Sequence, residues 1–242
     1  MYTNNKLLKL IENYGLIDIE PILENIENYY DLCIFGKAFI ENKLYRHIDY
    51  LAMFGKSNDS NGHNIVTENL IQLHQFGIIT RDGQINTIQK EDKTIIQQRS
   101  YLSIYCKKEV SNKIISELLL DNRIFTVIYT SDNHIIHNVP KEEIIRNKMI
   151  NVTRSSNASN EWNNCTNIWF DNRESYCYYY NNSSDSEEDE EENSIDFNDF
   201  ILNNCLYITL IYKEYKKYEH NEDVSSILLE IVKNCGIEQI IE

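Results

Sequence analysis

The segment YLSIYCKKEVSNKIISELLLDNRIFTVIYT, residues 101–130, decides the fold class. Its first run, Tyr101–Cys106, is apolar on both alternating faces, which is typical of a strand inside a sheet. Apolar residues then recur at helical spacing, at Val110, Ile114 and Leu118. The second apolar run, Ile124–Thr130, is the strongest strand pattern in the chain. The segment therefore predicts a strand–helix–strand (βαβ) unit.

Elements after this unit extend the mixed pattern. A partner strand is predicted through Ile135–Val139, and Cys205–Tyr212 is a further strand that is apolar on both faces. The last helix is predicted from Val224 to Ile231, closed by Gly236. Pro140–Glu143 fits the first turn of another helix, and the polar stretch Asn151–Thr166 predicts a surface loop.

The first third of the chain predicts helices. Four segments have helical spacing of apolar residues: Leu7–Tyr14, Ile19–Tyr30, Ile40–Leu51 and, after a polar loop at Lys56–Asn64, Leu70–Phe76 with Thr67 as its N-cap. The period changes at Gly77, and an Asp82-Gly83 turn within Ile78–Ile88 predicts a short hairpin. We therefore expect an α+β fold. A helical subdomain (residues 1–76) packs on an α+β sandwich (residues 77–242) that contains the βαβ unit and a flexible acidic loop at 181–197.

An acidic run interrupts the second half of the chain. Residues 183–192 have no apolar side chain and contain seven carboxylates: Asp185, Glu187, Glu188, Asp189, Glu190, Glu191 and Glu192. Such a run cannot bury enough surface to offset the entropy of ordering it. The chain carries a net charge of −15, which disfavours nucleic acids and anionic membranes and favours a basic protein surface as partner. Ser184 and Ser186 each precede an acidic residue by three positions, the pattern of acidophilic kinase sites.

Composition and cysteine spacing indicate an intracellular protein. The six cysteines are scattered without a C-x-x-C pair, and the first residues lack the pattern of a signal peptide. No apolar stretch approaches the roughly 20 residues of a membrane helix. The chain is rich in Ile, Asn and Tyr, with only 7 Gly and 2 Pro, which is typical of an AT-rich genome.

The sequence contains no recognisable motif for catalysis, cofactor binding or metal binding. Glycines spread singly cannot form a phosphate-binding loop. His134 and His137 lie three apart on a predicted strand and so point to opposite faces, which is poor geometry for a shared metal. His74 on its predicted helix is interpreted as a half-buried packing residue, and Asp31 disfavours the thiolate of Cys33. We therefore predict a non-catalytic protein without cofactor or metal; an enzyme with dispersed catalytic residues is the alternative.

Aromatic residues precede the acidic run. Ile168–Phe170 and Tyr176–Tyr180 are predicted to pair as a hairpin. One interpretation packs a face of this hairpin on the core. The other makes Trp169, Tyr178 and Tyr180 anchors of a recognition surface, because aromatic side chains dominate binding hot spots. With the acidic run beside them, these residues would bind a basic partner protein.

Residues 65–129 carry a resemblance to a known family. Their landmarks are Leu73-x-x-Phe76-Gly77-Ile78-Ile79-Thr80, Gln84 and Gln98-Arg99-x-Tyr101-Leu102. These resemble an uncharacterised domain, of unknown function, found in large DNA viruses and some bacteria. The resemblance implies an α+β domain with no known chemistry and, with the composition, a giant-virus protein.

The same region also permits a winged-helix interpretation, in which Thr67–Phe76 is the recognition helix and the predicted hairpin is the wing. This helix offers Glu68, Asn69, Gln72 and Gln75 but no positive charge. Nucleic-acid binding is therefore the alternative. The main hypothesis is a non-catalytic protein–protein interaction module of viral origin.

Overall fold

The predicted strands around Tyr101, Ile124 and Cys205 lie side by side at the centre of one sheet. The structure is a computed structural model and describes residues 1–44, 60–84, 86–91, 94–129, 135–145, 149–156, 162–169, 204–215 and 223–242. The strands of this first sheet are β1 (Ile78–Gln84), β4 (Tyr101–Lys107), β5 (Ile124–Tyr129), β6 (Ile135–His137) and β10 (Cys205–Tyr212). Their order is β1–β4–β10–β5–β6, and every neighbouring pair is antiparallel.

The βαβ unit is confirmed, with one strand inserted into it. Helix α5 (Lys108–Leu120) connects β4 to β5, and both strands run antiparallel to β10, which lies between them. They are therefore parallel to each other. All residues of β5 and β10 are buried, as expected for strands covered on both faces.

Strands of a second antiparallel sheet occupy residues 151–156 and 162–166 of the predicted surface loop Asn151–Thr166, and residues 157–161 lie outside the described part. The strands of this sheet are β2 (Thr87–Glu91), β3 (Thr94–Gln98), β7 (Ile144–Ile145), β8 (Met149–Ser156) and β9 (Trp162–Trp169). Strand β8 pairs with β9, with β3 and with β7. The loop prediction is wrong because Ile150 and Val152 alternate into the core, and main-chain pairing tolerates polar residues at the other positions.

The helices differ from the predicted segments at their boundaries. They are α1 (Asn5–Tyr14), α2 (Glu20–Leu23), α3 (Tyr29–Ile40), α4 (Ser60–Gln75) and α6 (Val224–Asn234). The predicted helix Ile19–Tyr30 is instead the single turn α2 followed by the start of α3. Asn28 separates them, because its side chain accepts hydrogen bonds from the amides of Tyr30 and Asp31 and so begins a new helix.

Further boundaries are corrected in the same way. Helix α3 ends at Ile40, where a helix was predicted to begin, and residues 45–59 lie outside the described part. Helix α4 already includes Ser60, so Thr67 lies within it and is no N-cap. Only a 3₁₀ turn, Lys141–Glu143, forms where a helix was predicted after Pro140.

The hairpin predicted at Asp82-Gly83 is also wrong. Strand β1 runs through both residues and stays paired with β4, with Gly83 opposite Leu102. The register shifts between Thr80 and Asp82, so the pair forms part of a β-bulge where a turn was expected. The hairpin that the winged-helix interpretation takes as its wing therefore does not form at Asp82-Gly83.

Helices cover both faces of the first sheet. Along β10, Tyr207 and Ile211 pack with α1–α3 and with residues of the second sheet, whereas Leu206, Ile208 and Leu210 pack with α4, α5 and α6. This alternation follows from the two-residue period of a strand. The predicted α+β class, with N-terminal helices packed on the sheet, is confirmed. The acidic loop at 181–197 lies outside the described residues, and the division at residue 76 stays a prediction.

Candidate functional site

A groove lies between α1 and α3. Its volume is about 410 Å³, within the range of ligand and peptide pockets. Ile11 of α1 and Ile34 and Ala38 of α3 form an apolar floor, and each is at most 5% exposed. Leu8 and Leu16 line the open side. We call this cavity the α1–α3 groove.

Helical spacing places these side chains along the groove. Ile34 and Ala38 are four residues apart on α3, with Lys37 between them, and Leu8 and Ile11 are three apart on α1. Residues at these spacings share one side of a helix. Each helix begins at a side-chain cap: Asn4 Oδ1 accepts the amide of Leu7 at 3.1 Å, and Asn28 caps α3.

Charged residues of both signs surround the groove. Lys43 pairs with Glu41 at 2.6 Å, and Lys37 Nζ donates to the main-chain oxygen of Glu242. Glu12 completes the rim and forms no ion pair with another described residue. The Lys43 side chain is 59% exposed, so its pair contributes little to stability. The rim is therefore mixed in charge, and the floor supplies the apolar contact area.

Exposed apolar side chains are concentrated beside this groove. Leu8 is 40% exposed, Tyr14 44%, Leu16 62% and Ile17 77%. Leu8 and Tyr14 belong to the apolar residues that predicted the first helix, but only Leu7 and Ile11 of these residues are buried. Leu8 and Leu16 also line the groove, and exposed apolar surface that joins a groove is typical of interaction sites in soluble proteins.

The buried side chain of His74 has a packing role. His74 is fully buried, not half-buried as predicted. Its Nε2 accepts the amide of Thr80 at 3.2 Å and lies 3.0 Å from the Thr80 hydroxyl, and its ring lies against Gly36. Burial lowers the pKa of His74 from 6.5 to about 3. The imidazole is therefore neutral at physiological pH and inaccessible to a substrate.

Cysteines in the described part are free and unsuited to nucleophilic catalysis. Cys33, Cys106 and Cys205 are buried, as the apolar strand pattern of the last two predicted. Burial raises the pKa of the Cys33 and Cys106 thiols well above the usual range. A nucleophilic cysteine needs the opposite, a stabilised thiolate. The predicted disfavour of the Cys33 thiolate is thus confirmed, with burial as its main cause and Asp31 a minor one.

The buried carboxylate of Asp31 holds the N-terminus in place. It accepts hydrogen bonds from the Tyr2 hydroxyl and the Asn4 amide at 2.9 Å, from the Asn28 amide at 2.8 Å and from the main chain of Glu27 at 3.1 Å. Four donors occupy its oxygens, so Asp31 is a structural acceptor rather than a metal ligand or base. Nor does the described part of the chain hold any group of three or more His, Cys, Asp or Glu arranged to bind a metal.

The residues predicted for partner binding lie mostly outside the described part. Trp169 is the last residue of β9, where it pairs with Met149. Tyr178 and Tyr180 lie outside the described residues, as do all seven carboxylates of the acidic run: Asp185, Glu187, Glu188, Asp189, Glu190, Glu191 and Glu192. His134 also lies outside them, and His137 is exposed on β6.

The α1–α3 groove was not predicted. The sequence signal for it is the pair Leu16-Ile17, two large apolar residues directly after the end of a helix. Comparison with protein-family models finds none that matches this chain, and comparison with curated proteins finds no significant similarity. Across the described residues, no helix combines the length and the apolar character that crossing a membrane requires.

Proposed function

We propose that this chain is a non-catalytic protein–protein interaction module that accepts a short apolar segment of a partner protein in the α1–α3 groove. The observation that carries the proposal is the apolar floor beside exposed Leu8 and Leu16. An amphipathic helix recognises such a groove through residues at spacings of three and four. The volume of about 410 Å³ fits a few apolar side chains of such a helix.

The charge of the chain favours a basic partner. Its net charge is −15, and the seven carboxylates of residues 183–192 concentrate part of it. A field of this sign attracts basic surfaces over long range, which raises the association rate and weakens as salt increases. Trp169, Tyr178 and Tyr180 remain proposed contact residues next to that run.

The absence of catalysis is supported by the roles of the ionisable groups. His74, Asp31 and Cys33 are each buried and engaged in internal contacts. Free cysteines also fit a reducing, intracellular compartment. The resemblance of residues 65–129 and the Ile/Asn/Tyr bias support a viral origin, with the host cytoplasm or the virion as location.

Two neighbouring residues provide a matched test of the groove. Leu16 lines it, whereas Ile17 is similarly apolar and more exposed but does not. The full chain, Leu16→Glu and Ile17→Glu are immobilised, and proteins captured from host lysate are quantified. The binding constant of each captured protein, purified, is then measured. We expect Leu16→Glu to weaken the specific partner about tenfold or more, because burying one leucine contributes about 1.5–3 kcal/mol.

Ile17→Glu is expected to bind as the unmodified chain does. Neutralising the seven carboxylates of residues 183–192 should slow association at low salt and have little effect at high salt. Equal losses for Leu16→Glu and Ile17→Glu, or no loss for either, would contradict binding in the groove. Identical association rates with and without the carboxylates would remove the role of the acidic run.

A further inference from the structure

Helices α1 and α3 run in the same direction along the α1–α3 groove. At one end, the Asn4 side chain, which caps α1, donates to the Asp31 carboxylate in the first turn of α3 at 2.9 Å. At the other end, Gly15 directly follows α1 and lies so close to the main-chain oxygen of Lys43, just after α3, that a β-carbon would not fit. Both helices therefore begin at one end of the groove and end at the other.

The end of the groove at Gly15 is negative. A helix carries the equivalent of about half a negative elementary charge at its C-terminus, and two such C-termini lie together here. Two carboxylates are added to them, since Glu12 lies in the last turn of α1 and Glu41 directly follows α3. Acidic side chains are unfavourable at this end of a helix, where basic ones are stabilising.

Glu41 has a compensating partner, whereas Glu12 has none in the described part of the chain. Lys43 pairs with Glu41 at 2.6 Å. The last turn of α1 contains no basic residue, and Glu12 forms no ion pair with another described residue. Lys9 lies one turn earlier on α1 and is not among the residues that line the groove. A charge in an unfavourable position without a compensating contact is typical of a functional site.

The charged side chains that line the groove leave an excess of one negative charge. They are the three carboxylates of Glu12, Glu41 and Glu242 and the two ammonium groups of Lys37 and Lys43. The two helix C-termini add to this excess. Glu12 is exposed and belongs to the lining of the cavity. A cation that enters the groove at this end therefore reaches the Glu12 carboxylate directly.

We propose that the partner segment carries a lysine or arginine one helical turn beyond its apolar anchors, and that this cation binds Glu12. The proposal rests on the function proposed above and names the partner chemistry of the same groove. Because an exposed ion pair contributes little to affinity, the cation mainly selects among apolar segments and sets their direction. The net charge of −15, by contrast, attracts every basic side chain of a partner and prefers neither end of a segment.

A displayed peptide library tests this assignment. Each peptide is an alanine-rich helix with varied apolar residues at spacings of three and four, and with lysine, glutamine or glutamate one turn before and one turn after them. Peptides selected on the full chain count as groove ligands if they are lost with Leu16→Gln and kept with Ile17→Gln, since neither change alters the charge. Among groove ligands, we expect lysine at least about threefold more often than glutamate at one end, and no preference at the other.

Charge reversal identifies the carboxylate. Selection on Glu12→Lys should change the preferred residue at the same peptide position from lysine to glutamate. Glu117→Lys, at an exposed glutamate in the last turn of α5, makes the same charge change at another helix C-terminus and should leave the preference unchanged. For a purified groove ligand, Glu12→Gln should weaken the lysine peptide about threefold and its glutamine analogue not at all.

The outcomes distinguish this proposal from the one on which it rests. If no selected peptide depends on Leu16, binding in the groove is refuted and the role of Glu12 with it. Groove ligands that show no preference for lysine, or that favour it equally at both ends, would overturn the role of Glu12 alone. A lysine preference that persists in Glu12→Lys would do the same, while binding in the groove would stand.

Discussion

Replacing Gly36 with alanine tests how closely α3 packs on α4. A β-carbon at Gly36 would lie 2.3 Å from Cε1 and 2.8 Å from Nδ1 of His74. Carbon atoms in contact are normally about 3.5–4.0 Å apart, so one of the two groups must shift. The imidazole has little room to do so, because it is fully buried and its Nε2 accepts the amide of Thr80.

Two effects of opposite sign compete in this variant. In an ordinary helix interior, glycine to alanine stabilises a protein by about 0.8–1 kcal/mol. Overpacking a core costs about 1–3 kcal/mol. If the His74 ring rotates, the buried Thr80 amide loses its acceptor at a cost of about 1–3 kcal/mol. The overpacking cost less the propensity gain leaves about 0–2 kcal/mol, and the lost hydrogen bond of the Thr80 amide adds to it, so we expect Gly36→Ala to lower the free energy of unfolding by about 1–3 kcal/mol.

Urea denaturation followed by circular dichroism measures this change. Asn112→Ala, at an exposed position of α5, is the control for helix propensity and should raise stability by a few tenths of a kcal/mol, roughly. A double-mutant cycle with His74→Ala should give a coupling of at least about 1 kcal/mol, because the added methyl then occupies space that the ring has left. A stabilised Gly36→Ala chain with no coupling would refute the close contact.

Three further changes test other contacts. Burial lowers the pKa of His74 from 6.5 to about 3. Between these two pH values, His74 is protonated in the unfolded chain but neutral in the folded chain. Stability should therefore fall as pH drops from about 6.5 towards 3, by up to about 1.4 kcal/mol per pH unit. Urea titrations of the unmodified chain and His74→Gln should diverge in that window; parallel pH profiles would contradict it. Asp31→Asn replaces one of the two acceptor oxygens with an NH2 donor that faces other donors, so we expect a loss of about 2–4 kcal/mol in the same assay, and a change within about 0.5 would show the contacts to be weak. Gly77→Ala places a β-carbon at φ +76°, 2.2 Å from Ile240 Cδ1, and should cost about 1–2 kcal/mol. Trimming Ile240 to alanine relieves the clash but not the backbone strain, so full rescue would assign the cost to sterics alone.

The central sheet was predictable because burial on both faces leaves a clear pattern. Tyr101–Cys106, Ile124–Thr130 and Cys205–Tyr212 are apolar at successive positions, and each corresponds to a central strand. No local signal placed β10 between β4 and β5, since strand order depends on contacts between distant residues. Strand β8 and the polar part of β9 before Ile168 were missed for a related reason, because pairing of the main chain decides them; the end of β9 at Ile168 and Trp169 was predicted as a strand.

Helix boundaries failed where a helix is buried on nearly all sides. From Leu32 to Phe35 every residue of α3 is buried, so no amphipathic period distinguishes it from its flanks. The apolar spacing instead assigned the start of α3 to the predicted helix Ile19–Tyr30 and its last residue to the predicted helix Ile40–Leu51. The α1–α3 groove depends on the distance between two helices and on the exposure of Leu8 and Leu16. Spacing along a single helix cannot reveal either.

The position of β10 between β4 and β5 determines when the first sheet can form during synthesis as well as how the folded sheet is held together. β4 and β5 are parallel and make no hydrogen bonds to each other, so the middle of the sheet forms only when β10 arrives. Ser103 of β4 and Thr209 of β10 meet across 106 positions of sequence. During synthesis, β4 and β5 therefore emerge with unpaired edges that can bind other chains. Such long-range pairing is expected to fold in milliseconds to seconds, and a nascent chain stalled before residue 205 should be a strong chaperone client.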